Sequence, residues 1–165
     1  MTSIIIPSSS GMTSIKLETR KGTSILNSQS HQFSRFELAQ QENLDNEWRG
    51  VLFRTPPNPI YNCHGLTFAS KRTSIHETAS LRTILNDDGY TEIQRDNILP
   101  GDIALYLTDT GDIEHSGIVI TEPDQQFGVP KVVSKWGRYK EAIHWIHACP
   151  YESSNVKYYR VTKWD

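Results

Sequence analysis

The sequence predicts an α+β domain in which helices from the N-terminal half pack on an antiparallel β-sheet built by the C-terminal half. Helical patterns fall early, at residues 33–49, from Cys63 onward and at 74–86. Strand patterns fall late, at 102–108, 113–120, 131–137 and 156–164, with breaker-rich turns between them. Helices first and adjacent strands afterwards give a segregated layout rather than alternating βαβ units. A chain of 165 residues is enough for one such core.

Residues 1–35 are rich in Ser and Thr and carry the tripeptide Thr-Ser-Ile at 2–4, 13–15 and 23–25, with a fourth copy at 73–75. Spacing near ten residues, with Gly11 and Gly22 between copies, suits short strands in a meander. We read 1–35 as an N-terminal extension with strand character, the alternative being a poorly ordered tail, and 36–165 as the main domain. In 33–49, Phe33, Phe36, Leu38, Leu44 and Trp48 stand among good helix formers. The stretch RTPPNPIY (54–61) must be extended, because proline rejects helix and biases the preceding residue to β or polyproline geometry. Asn62 is then a suitable N-cap for a helix opening at Cys63. The next helix has Ile75, Ala79, Leu81, Ile84 and Leu85 as its apolar side and ends at Asp87-Asp88-Gly89. Asp102 and Asp112 read as strand-entry and turn residues.

Composition excludes several functions. The net charge is −2 with both signs interspersed, so nothing favours a nucleic-acid or anionic-membrane partner. No apolar run approaches the roughly 18 residues of a membrane span. The N-terminal stretch MTSIIIPSSSG lacks a basic region and its apolar run stops at Pro7. This predicts a cytoplasmic protein, or one exported without a classical signal peptide. Two cysteines, Cys63 and Cys149, are too few for a disulfide framework. There is no CxxC, and His144 and His147 lack partners at ligand spacing, so no metal or other cofactor is expected.

Cys63 is the informative residue. Structural cysteines sit among aliphatics, whereas this one lies between a capping Asn and His64-Gly65. At the first position of a helix, free amides and the macrodipole are expected to lower its pKa and favour the thiolate. Such a thiol needs a general base, and His115 opens a strand whose continuation, Gly-Ile-Val-Ile, is apolar. Inert roles for both residues are the alternative. Trp136, Tyr158 and Tyr159 read as core or cleft wall, and Cys149 as structural.

In order, NCHGLTF (62–68), PGDIALYL (100–107) and HSGIVI (115–120) resemble the NlpC/P60-type branch of papain-like cysteine peptidases, over about residues 58–137. The resemblance implies a papain-like catalytic domain at 36–165, with Cys63 as nucleophile and His115 as base. It also implies a third polar residue on the strand beside the histidine, which falls near Ser134. Lys135 and His144 stand as alternatives, because the family has His, Asn or Gln there. His64 replaces the family's Ser and is a candidate pocket wall. Tyr61 is a candidate hydroxyl donor or aromatic wall, and Trp136 a further substrate contact. Backbone amides at the helix start would hold the oxyanion. The implied activity is amide hydrolysis through an acyl-thioester, most specifically as a peptidoglycan endopeptidase or amidase, with a secreted effector toxin as one setting. The implied partners are a peptide or peptidoglycan-like substrate, a protein target, or a cognate inhibitor. The alternatives are the same fold acting on a protein as protease, deamidase or transacylase, and a decayed binding module.

Overall fold

Apolar segments, all but one of them in the second half of the chain, assemble a seven-stranded antiparallel sheet. The computed structural model describes residues 11–164; the Thr-Ser-Ile copy at 2–4 lies outside them. In chain order the main sheet contains β3 (Leu52–Phe53), β4 (Tyr90–Ile93), β5 (Ile103–Leu107), β6 (Ile113–Val119), β7 (Lys131–Lys135), β8 (Glu141–Trp145) and β9 (Val156–Val161). Their spatial order is β3-β8-β7-β6-β5-β9-β4. A separate two-stranded sheet pairs β1 (Met12–Thr13) with β2 (Gln29–Ser30). The helices are α1 (Arg35–Glu47), α2 (Cys63–Phe68) and α3 (Thr78–Asp87), so the domain is α+β.

Three of the strands, β3, β4 and β8, are ones the sequence pattern did not predict. The most consequential is β8, which forms a hairpin with β7 through 136–140 and carries Glu141 and His144 into the interior. Helix α3 starts four residues later than the predicted 74. The preceding residues are committed elsewhere: Ser74 bridges Ser28, and the Ile75 amide donates to Asn62 Oδ1.

The described part of the extension, from residue 11 on, is tied to the domain rather than detached from it. Ile25 is buried with Ile75, Leu81 and Ile84, while the Thr19 and Thr23 hydroxyls both donate to Asp87. Helix α1 is held by a capping box between Ser34 and Glu37. Its apolar side is used sparingly: Phe36 and Leu38 are exposed, and only Leu44 and Trp48 reach the core.

The two faces of the sheet differ. One face collects Ala104, Tyr106, Val119, Val132, Trp136 and Ala142 in the largest core cluster. The other carries Ile103 and Leu105 under α3, with Val133, Ile118 and Ile143 under Leu66 of α2. Side chains alternate between faces along a strand, and this alternation decides the geometry of the site.

Candidate active site

Asn62 builds the turn that presents Cys63. Its Oδ1 caps α2 by accepting from the Gly65 amide at 2.9 Å and also accepts from the Ile75 amide at 3.2 Å, while its Nδ2 donates to the Ile75 carbonyl at 2.8 Å. One buried amide thus locks the helix start to the segment before α3. Gly65 lets the two approach: a Cβ there would lie 1.8 Å from the Thr73 carbonyl oxygen.

Before Cys63, the proline-rich segment is fastened from the sheet. The buried Lys135 ammonium donates to the carbonyls of Asn58, Tyr61 and Gly137 and lies 4.6 Å from the centre of the Tyr61 ring. Burial lowers its pKa to about 7, against the pull of Glu141. Glu141, fully buried on β8, accepts from Tyr61 Oη, Arg54 and Lys71 at 2.6–2.7 Å. Burial alone would raise its carboxyl pKa, but these donors outweigh burial and hold it below the usual range. Tyr61 therefore spends its hydroxyl on Glu141 and cannot offer it to an oxyanion, as the sequence had suggested. Lys135 likewise serves the 58–61 segment rather than a histidine.

Cys63 lies on a cleft of about 730 Å³ lined also by His64, His76, Glu114, Arg138 and Tyr151. The lowered pKa expected from the helix start is reversed. Burial pushes the thiol up to about 11, only partly offset by hydrogen bonds from the Ser116 amide and hydroxyl and from the amides of His64 and Cys63. A two-turn helix has a short dipole, and desolvation of a thiolate exceeds it. The resting sulfur is a thiol, because burial outweighs the neighbouring groups that favour its anion.

The histidine expected to activate it is oriented differently. His115 pairs with Tyr106 across β5 and β6 and belongs to the Tyr106 face, whereas its neighbour Ser116 faces α2. His115 is fully buried, its ring stacked 3.6 Å on that of Tyr151, and neither ring nitrogen has a hydrogen-bond partner among the described residues. Burial, with His64 and His144 nearby, lowers its pKa well below the ordinary range. The third member expected on β7 also has another partner. Ser134 is hydrogen-bonded to His144 Nε2 at 2.7 Å, and His144 Nδ1 donates to the Trp145 carbonyl. Trp136 is buried against Phe53 and Trp48 and does not line the cleft.

The structure therefore brings Cys63 together with His64 and Ser116. His64 Nδ1 lies 2.8 Å from Ser116 Oγ, which is 3.0 Å from Thr67 Oγ1; Thr67 in turn donates to the Cys63 carbonyl. Burial lowers His64 to about 4, with His76 adding to the shift and the Ile113 carbonyl opposing it. Ser116 and Tyr151 were missed by the sequence reading. Period-two alternation from His115 was the available signal for Ser116; nothing marked Tyr151 beyond its being aromatic. Among the described residues no helix is long and apolar enough to cross a membrane. No family model, curated protein or solved structure matches the chain.

Proposed function

We propose that this protein is a cysteine hydrolase that cleaves an amide bond through an acyl-thioester on Cys63. The observation that carries this reading is the capped start of α2, where the Cys63 thiol borders a cleft and the amides of Cys63, His64 and Ser116 oppose the effect of burial on its pKa. Those donors suit an anionic sulfur. They also suit the oxyanion of a tetrahedral intermediate, since fixed amides in a poorly solvated site need no reorganisation as charge develops. The sulfur attacks the carbonyl carbon, the amine departs with a proton, and water releases the acid from the thioester.

The papain-like relation of NlpC/P60 type, and with it a peptidoglycan endopeptidase or amidase, is the specific form we favour. It draws on the order of the Cys63, Pro100-Gly101-Asp102 and His115 motifs. In that form His115 is the base, and its ring, stacked under Tyr151 on the face of β6 opposite Ser116, has to be freed and brought to the thiol before proton transfer. The test is digestion of purified sacculi by the wild type and by Cys63→Ala. New muropeptides that depend on Cys63 support the specific form. Intact sacculi with a Cys63 that alkylates rapidly would refute it and redirect the search to protein amides.

A second reading, a binding module without catalysis, is favoured by the stacking of Tyr151 over His115 and by the commitment of Ser134 to His144. Cys63 labelling no faster than Cys149 would select it.

A further inference from the structure

We infer that the cleft at Cys63 selects substrates that carry a positive charge beside the scissile amide, such as basic peptides. The inference rests on the proposed thiol chemistry and names the substrate class for it. The thiol, 5% exposed and bordering the cleft, marks the site, and the charged groups around it set the sign of what enters.

Three carboxylates line that cleft, and they are not equally available. Glu37 is spent: its Oε1 pairs with Arg138 Nε at 3.0 Å, and its Oε2 accepts from the Ser34 amide at 2.8 Å. The same pair spends Arg138, which also donates to the Gln32 carbonyl and lies 5.6 Å from the centre of the Phe33 ring. Asp112 and Glu114 are exposed and have no ion pair among the described residues. Asp112 accepts only a long hydrogen bond from the Thr110 hydroxyl, at 3.3 Å. His64 adds no charge, since burial above all holds its pKa down at about 4. Even with His76 counted as a cation, carboxylates outnumber cations on the cleft by three to two. Lys135 does not line it; its ammonium donates to three carbonyls, and burial lowers its pKa to about 7.

The fold fixes where the free carboxylates stand. In the β5–β6 ladder Tyr106 pairs with His115 and Leu107 with Ile113, so Glu114 is the extra residue of a bulge. A bulge re-aims a side chain out of the ladder and is common beside active sites. On one side of it the Ile113 amide donates to Thr78 Oγ1 at 3.0 Å, at the start of α3. On the other, Ser116 Oγ meets His64 and Thr67 of α2. Glu114 is thereby held between the two helices whose starts line the cleft. Asp112 is set by the turn before it, where its amide donates to Thr108 Oγ1 at 3.1 Å and its carbonyl accepts from the Thr108 amide at 2.9 Å. Unpaired charges of one sign in a partly enclosed cleft concentrate the opposite ion and repel the like one.

The test is the rate of Cys63 modification by three methanethiosulfonates of graded charge: the trimethylammonioethyl cation, the neutral methyl compound and the sulfonatoethyl anion. Each rate is read at pH 8 by site-resolved mass spectrometry and divided by that of the same reagent with 2-mercaptoethanol. In dilute buffer the cation-to-anion ratio should be at least about 10, the lower end of what a cleft of one sign contributes. At about 1 M salt, where the screening length is about 3 Å, the ratio should fall towards unity. It should fall likewise in dilute buffer for D112N/E114Q, and invert for D112N/E114K. The salt series needs no variant, so it decides the matter even where a variant fails to fold. A wild-type ratio near unity in dilute buffer, or a high ratio that D112N/E114Q leaves intact, overturns the inference, while fast labelling by the neutral reagent keeps the cysteine-hydrolase reading. Wild-type Cys63 no faster than Cys149 towards the neutral reagent overturns both.

Discussion

Replacing Gly65 with Ala tests how closely α2 must approach the chain at Thr73. In an exposed helix this change stabilises by about 1 kcal/mol, because alanine loses less backbone freedom. Here the new Cβ would stand 1.8 Å from the Thr73 carbonyl oxygen and 3.0 Å from Tyr61 Cβ. Both neighbours are buried, and the helix and the Thr73 segment must separate by well over an ångström. Overpacking of this kind costs about 1–3 kcal/mol. The separation also stretches the two Asn62 hydrogen bonds that join the helix start to Ile75, each worth about 1 kcal/mol. Set against the helical gain, the net loss is about 2–4 kcal/mol, or roughly 5–10 °C in Tm for a chain of this size. Thermal unfolding followed by circular dichroism measures it, with alkylation of Cys63 reporting the site. The sign is diagnostic: a Tm equal to or above that of the wild type would show that the close approach does not exist and would undo the account of how Cys63 is positioned.

Further outcomes follow from the buried polar groups and the extension. Glu141→Ala leaves Tyr61 Oη, Arg54 and Lys71 without their shared acceptor; since both cations are partly exposed, we expect a loss of about 2 kcal/mol in urea unfolding, and no change would show the cluster to be incidental. His64 and His144 are held neutral with pKa values lowered to about 4, so the unfolded chain binds protons first as pH falls below about 6.5. Stability should therefore be full near pH 7 and drop by about 1–3 kcal/mol per histidine by pH 4; a flat urea midpoint across that window would contradict their burial. Ile25→Ala should cost about 2–4 kcal/mol if the extension is part of the core, whereas a surface tail would tolerate it.

What the sequence determined by itself was local. Prolines 56, 57 and 59 forced an extended lead-in, Asn62 fixed where α2 begins, and alternation placed β5, β6, β7 and β9 and the antiparallel character of the sheet. Each follows from backbone geometry or from a period legible in a few residues. Tertiary structure decided the partners. His115 and Ser116 are adjacent in the chain, yet pleating sends them to opposite faces, and only the placement of α2 on the Ser116 side determines which one meets His64 and Thr67 of that helix. The commitment of Ser134 to His144 depends on β8, a strand whose hairpin with β7 brings together residues ten apart. The thiol's rise to about 11 could not be read from a capped helix start, because desolvation depends on everything packed around the sulfur and outweighs the dipole of a six-residue helix.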